Sequence, residues 1–277
     1  ILPSYTFVST ANAFVLRGAK LVFADSNHEN PNIDTTLIEN LITRKTKAIV
    51  VVHYAGIACN MEAVMQLAKR HKLLVIEDAA HSIDSFYKNQ PLGSIGHMAA
   101  FSFHETKNIS CGEGGMLVIN DKDIAPRAEI IWEKGTNRAA FYRGEVDKYG
   151  WVDIGSSFLP SDMAAAFLLG QLDFLDEIQL KRMQIFDTYL NLLMPLQLSG
   201  SIQLPVIPEY ATPNGHLFYL VTSSPKQRES LIKHLEKKGI QAVFHYLPLH
   251  LSPYFKAKHT GLSLPESVRY AECLLRL

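Results

Sequence analysis

Between residues 48 and 119 the chain alternates wholly apolar runs with amphipathic ones, and that rhythm leaves few folds open. Ala48-Ile49-Val50-Val51-Val52 is β-branched and apolar on both faces, the character of an interior strand in a parallel sheet. Met61, Val64, Met65 and Ala68 then recur at helical spacing. Leu73-Leu74-Val75-Ile76 is a second buried run, Met98-Ala99-Ala100-Phe101 reads as the end of a third, and Met116 to Ile119 is a fourth. Upstream, Pro3 to Gly18 reads as a short helix stopped by glycine and Leu21-Val22-Phe23 as a strand. Asp34 reads as the N-cap of a helix whose apolar face is Leu37, Ile38, Leu41 and Ile42. Strand following helix in this order predicts an α/β fold, a mostly parallel sheet with helices on both faces.

Such a sheet binds its ligands beyond the carboxyl ends of its strands. His53, Asp78, His81, Ser102 and Lys107 all fall at such ends, and their coincidence in one plane outweighs any one of them alone. The chain then continues as a helix over 121–133, followed by residues 134 to 160, which lose all periodicity. A loop of that length inside a compact domain is usually functional or covered by a partner. Helix resumes at Ser161-Asp162 and runs to about Leu198. Three prolines between Gly200 and Pro213 mark a boundary, giving a large domain over 1–199 and a smaller C-terminal α/β domain over 200–277. The latter reads as a strand Leu217 to Val221, a helix Lys226 to Lys238 stopped by Gly239, and a strand Ala242-Val243-Phe244. The chain opens at Ile1 without an initiator methionine and ends at Leu277 just after an apolar helical pattern, so both ends read as cut.

Composition narrows the function by exclusion. Lysine plus arginine and aspartate plus glutamate each number 27, so net charge is zero, and no long basic run occurs. That argues against nucleic acid and anionic membranes as partners. Cys59, Cys111 and Cys273 are far apart and form no CxxC pair, which argues against a zinc site or a disulfide framework and fits a reducing cytoplasm. No run of eighteen apolar residues is present to span a bilayer as a helix.

Lys107 is delivered by a strand end into a turn carrying Gly112, Gly114 and Gly115. An amine so placed can form a Schiff base with an aldehyde cofactor such as pyridoxal 5'-phosphate. That chemistry needs an acid opposite the cofactor's pyridine nitrogen, and Asp78 is placed to supply it. His81 can hydrogen-bond or stack on the ring, Ser102 can hold the phosphate, and Phe7 can cover a ring face. Arg138 and Arg143 suit a diphosphate, since a guanidinium grips two oxygens at once. Each also has an ordinary use: a solvated lysine, a helix-capping aspartate, a structural histidine, a turn serine, a core aromatic, solvated loop charges. Glu113 reads equally as an exposed turn charge.

These residues resemble a known family. Ser102-Phe103-His104-x-x-Lys107, followed by Gly112-Glu113-Gly114-Gly115 and preceded by Glu77-Asp78-Ala79-Ala80-His81, resembles the DegT/DnrJ/EryC1/StrS sugar aminotransferases. Pro3 to Thr10 and His245-Tyr246-Leu247-Pro248-Leu249-His250 match it too, so the resemblance covers essentially the whole chain. It implies an aspartate-aminotransferase-like fold (fold type I) and a homodimer with shared active sites. It implies pyridoxal 5'-phosphate bound by Lys107, Asp78, His81, Ser102 and Phe7, with Lys107 also the catalytic acid/base. Substrate contacts would fall to Arg138, Arg143 and His250. L-Glutamate would give its amino group, and the 4-keto group of a dTDP-4-keto-6-deoxyhexose would receive it. Relatives also carry a Gly-x-Thr turn before the position of Ile1 that binds the cofactor phosphate, and an asparagine where Leu159 stands. Two alternatives stay open: an aminotransferase of other regio- or stereochemistry, and a truncated relative that only dimerises. A sugar dehydratase of the same group would have histidine in place of Lys107.

Overall fold

A computed structural model describes residues 1–277. Its central sheet has four strands in the order Ala48–Val52, Leu74–Asp78, Met98–Ser102, Gly115–Ile119. The first three are parallel and the last runs antiparallel. Register brings the functional ends level: Val52 lies opposite Asp78, and Asp78 opposite Ala100. The apolar runs fill the interior as expected, with Ile49, Val51 and Val75 fully buried. A short pair, Leu2–Pro3 with Phe23–Ala24, continues the layer, and Ile1 O accepts the Val50 N–H.

Helix Met61–His71 covers the sheet with Val64, Leu67 and Ala68. Asn60 caps it by accepting the Ala63 N–H, and Lys72, at φ 54°, ends it. Asp34 caps helix Thr35–Leu41 through the Thr36 N–H. Glu77 points away from the strand end that carries Asp78. Its carboxylate accepts the N–H groups of Gly93, Ile95 and Gly96 and pairs with buried His53 at 3.0 Å. His53 Nδ1 accepts the Cys59 N–H at 3.1 Å, and its Nε2 faces the Glu77 carboxylate. Burial raises the Glu77 pKa, but His53 and the Gly96 and Gly93 amides outweigh it and hold the carboxyl below its usual range. Glu77 and His53 therefore brace the strand ends beneath the site.

The smaller sheet is antiparallel, in the order Leu274–Arg276, Tyr219–Thr222, Ile202–Gln203. This differs from the reading of the sequence at two places. Ala242-Val243-Phe244 is not a strand and makes one bridge, Val243 to Arg276. The residues read as the end of an apolar helix leave helix Pro265–Cys273 and form the strand Leu274–Arg276 instead. Leu274 and Leu275 enter two different hydrophobic clusters, as successive residues of a strand must. The long helix Leu175–Leu198 joins the units: its Phe186, Met183, Tyr189 and Leu193 pack on the smaller sheet.

Tyr5 and Tyr54 from the first unit meet Tyr219 and Tyr270 from the second in one buried cluster. Residues 134–160 contain a short helix, Arg138–Tyr142, and are stapled by the bridges Glu133–Ser157 and Thr136–Trp151. No helix is long and apolar enough to cross a membrane.

Candidate active site

A cavity of about 770 Å³ opens where the strand ends meet the smaller unit, lined among others by Phe7, Thr10, Asp78, Ser102, Lys107 and Tyr246. Asp78, the last residue of its strand, has both carboxylate oxygens fixed. Thr10 Oγ1 donates to Oδ2 at 2.6 Å, and the Ala80 N–H donates to Oδ1 at 3.1 Å. Thr10 is held in turn by Thr6, 3.0 Å away on the same cavity wall.

Lys107 sits in a turn closed by backbone bonds from Phe103 to Gly114 and from Glu105 to Gly112. Gly112 adopts φ +82°, and a Cβ on Gly115 would lie 2.8 Å from the Phe101 carbonyl, so the turn needs glycine at both places. The Lys107 amine is half-buried. Burial lowers its pKa below the ordinary lysine value, Asp78 opposes this, and the Arg276 guanidinium lowers it further. A lysine so tuned reaches its neutral, nucleophilic form more readily.

The opposite wall is a set of aromatic and imidazole rings. His81 stacks on His216 with centroids 4.1 Å apart, and His245 stacks on Tyr246 at 3.6 Å. Their tautomers follow from their partners. His81 Nδ1 accepts the Ala55 N–H, so its Nε2–H faces the Tyr246 hydroxyl at 3.3 Å. His216 Nδ1 donates to Asn108 Oδ1 at 2.7 Å, and Asn108 is the residue after Lys107. Asn214 ties the two units beneath this wall, donating to the carbonyls of His81 and Ile83.

Burial, reinforced by Lys107 and Arg276, pushes the pKa of all three histidines below the usual value, that of His245 to about 3. In the unfolded chain these rings take up protons near pH 6.5, whereas in the folded chain they do not. Their neutral packing therefore stabilises the fold fully above about pH 6.5, and that contribution is lost as pH falls toward the folded values. The melting temperature should drop steeply below about pH 6.5, and less so in His245→Gln. A flat melting temperature between pH 7 and 5 would contradict this.

The fold thus gathers Phe7, Asp78, His81, Ser102 and Lys107 around one cavity. Phe7 presents a largely exposed ring toward it, 6.1 Å from Tyr246. Arg138, Arg143 and His250 do not line it. Arg138 bonds Glu133 and the Tyr142 hydroxyl, and Arg143 grips Glu129 and Glu145. His250 is buried, its Nδ1 bonded to Ser4 Oγ at 2.7 Å. The cavity also contains residues that reading the sequence did not single out: Thr6, Thr10, His216 and Arg276. Thr6 and Thr10 had a local signal, two hydroxyls four residues apart at a helix start. His216 and Arg276 had none, because each reaches the site only through long-range packing.

The residues present fit pyridoxal phosphate. A carboxylate held rigid by two donors faces an amine of lowered pKa across a cavity with an exposed aromatic ring and a serine hydroxyl. That arrangement on a mostly parallel sheet defines a fold type I enzyme. The DegT/DnrJ/EryC1/StrS aminotransferase family model matches residues 1–277, and the chain belongs to that family. It is a sugar aminotransferase that uses pyridoxal phosphate. SpsC, a spore coat polysaccharide biosynthesis protein of Bacillus subtilis, is 34% identical over 286 residues, covering 100% of this chain and 73% of SpsC. Spr1654 of Streptococcus pneumoniae, 26% identical, superposes in its PMP form with a TM-score of 0.89, covering 100% of this chain and 75% of that one. Its PLP form gives 0.86. PseC of Helicobacter pylori, an aminotransferase involved in pseudoaminic acid biosynthesis, is 26% identical with a TM-score of 0.87, covering 100% of this chain and 73% of PseC.

Proposed function

We propose that this enzyme moves the amino group of L-glutamate to the 4-keto carbon of a dTDP-4-keto-6-deoxyhexose. The products would be 2-oxoglutarate and dTDP-4-amino-4,6-dideoxygalactose. This is the reaction of the dTDP-4-amino-4,6-dideoxygalactose transaminase of enterobacterial common antigen assembly. The observation that carries the transaminase chemistry is Lys107 opposite the doubly anchored Asp78. The particular sugar rests on the segments Thr136-Asn137-Arg138 and Asp153-Ile154-Gly155-Ser156-Ser157, which resemble that enzyme. The two segments adjoin: Gly135 takes both the Val152 and Asp153 N–H groups on its carbonyl.

Pyridoxal phosphate supplies an electron-accepting ring that stores the amino group between two half-reactions. Asp78 would hold a proton on the ring nitrogen, and Thr10 and Ala80 keep its carboxylate from turning away. Lys107 Nζ would anchor the cofactor, and as acid/base it would take the proton from the donor's carbon and return one to the acceptor's. Phe7 would cover the cofactor, the Ser102 hydroxyl would hydrogen-bond its phosphate, and the His81–Tyr246 pair would help to orient it.

The same reading takes residues 1–199 as the cofactor-binding domain and 200–277 as the smaller one, with the enzyme a cytoplasmic homodimer. Met163 and Phe167, four residues apart on helix Asp162–Leu172, are 83% and 61% exposed, an apolar stripe of the kind that marks an interaction site. Within one chain Arg138 and Arg143 pair with glutamates away from the cavity.

Supplied with glutamate and a dTDP-4-keto-6-deoxyhexose, the enzyme should release 2-oxoglutarate in step with a 4-amino sugar of galacto configuration. Product NMR checks this. Amination at C3, or turnover of 3-keto sugars alone, would refute the regiochemistry.

A further inference from the structure

Lys107 is delivered to the cavity by a stretch that barely holds itself. Its N–H bonds the His104 carbonyl at 3.0 Å, but residues 108–110 form no backbone–backbone hydrogen bond, and glycines follow at 112, 114 and 115. What fixes the stretch comes from elsewhere in the chain. From helix Asp162–Leu172, Gln171 clamps Ser110, accepting its N–H at 3.0 Å and donating to its carbonyl at 2.7 Å. Asn108, one peptide from the lysine, is held by three partners.

Its Nδ2 donates to Gln179 Oε1 at 2.8 Å and to the Asn214 backbone carbonyl at 3.1 Å, and its Oδ1 accepts from His216 Nδ1 at 2.7 Å. A backbone carbonyl can only accept, so the amide has a single orientation and His216 carries its proton on Nδ1. Asn108, Gln179 and Asn214 are 6%, 5% and 1% exposed, and each of their amide atoms has a partner. A buried polar network satisfied in this way is rigid, and breaking one member leaves the others unpaired. Gln179 belongs to the long helix Leu175–Leu198, and Asn214 and His216 lead into the strand Tyr219–Thr222 of the smaller unit. Of the four, His216 lines the cavity, whereas Asn108, Gln179 and Asn214 lie outside it. Asn108 therefore bears on the site through the backbone it shares with Lys107.

We propose that Asn108 is a positioning residue for Lys107, its amide the joint through which the long helix and the smaller unit fix where the amine stands. This role rests on the aminotransferase reading above and goes past it by naming what keeps the amine in place against Asp78. Misplacing a reacting group by about 1 Å can cost about 100-fold in rate. The amine's titration would report the same displacement. Burial holds it below the ordinary lysine value, Asp78 opposes this, and Arg276 adds to it. His81, His216 and His245 face the amine as neutral rings, and His104 and Glu113, 3.6 Å apart, line the same cavity. A stretch cut loose at Asn108 admits water to the amine, and its pKa moves back up.

The experiment follows the amine directly, in the full chain freed of cofactor, as the pH profile of Lys107 labelling by trinitrobenzenesulfonate with peptide mapping. Asn108→Ala should move the midpoint of that profile up toward the ordinary lysine value. In the cofactor-loaded protein it should slow amine release from glutamate about 10- to 100-fold, with the KM for glutamate within about threefold. Gln179→Leu, at a residue outside the cavity, should shift both readings the same way and less; it decides the matter if Asn108→Ala does not fold. Asn60→Ala, which removes the cap of helix Met61–His71, is the control for lost stability: its melting temperature should fall while the Lys107 midpoint stays at the wild-type value. An unchanged midpoint in the folded Asn108 or Gln179 variant overturns the proposal, as does an equal shift in Asn60→Ala. If the loaded wild type moves no amine while Asn108→Ala still shifts the midpoint, the aminotransferase reading fails and the positioning of the amine stands.

Discussion

Lys107→Ala should abolish turnover, with a fall of at least about 10⁴-fold in amine release from glutamate, while the fold survives. Two roles go at once. On the proposed assignment the amine is the covalent anchor of the cofactor and the group that carries the proton in both half-reactions, and proton transfer alone is worth about 10²–10⁴-fold. The structural cost is small, because the amine is half-buried and satisfies no other buried group in the chain. Its turn is held by backbone bonds from Phe103 and Glu105, which alanine leaves in place. Circular dichroism and melting temperature should match wild type. A variant retaining a tenth of the activity would place the proton carrier elsewhere.

Asp78→Asn is the second large effect, and it separates charge from shape. Asparagine keeps the volume and can still accept either the Thr10 hydroxyl or the Ala80 N–H, so stability should fall little. What it cannot do is hold a proton on the ring nitrogen opposite. The electrons released at the donor carbon then lose their sink, and kcat should drop about 10²–10³-fold, the scale for removing one preorganised electrostatic partner. The KM for glutamate should change far less, since Asp78 faces the ring and not the donor. A loss confined to KM would mean that Asp78 merely shapes the pocket.

Much of this site could be read before any coordinates, for a definite physical reason. A parallel sheet places its chemistry at strand ends, and strand ends are visible as the points where apolar runs turn polar. Asp78, Ser102 and Lys107 were legible on that ground alone. Glu77 sits beside Asp78 in the same stretch, yet period-two alternation sends it to the other face, where it braces Gly93, Ile95 and Gly96. The smaller unit was less legible. Its edge pairing is antiparallel and long-range, so Leu274–Arg276 looked like the tail of a helix, and the cation it delivers had no local mark. His216 likewise depends on a contact with Asn108 across 108 positions of sequence. The loop arginines were chosen for their charge, but neighbouring glutamates occupy them within one chain, and composition cannot show which charges are already paired.

The account reduces to one bond between one side chain and the cofactor. Borohydride reduction of the cofactor-loaded wild-type protein, followed by digestion and mass mapping, should place a single pyridoxyl label on the peptide containing Lys107. A label on another lysine, or none at saturating cofactor, would contradict it.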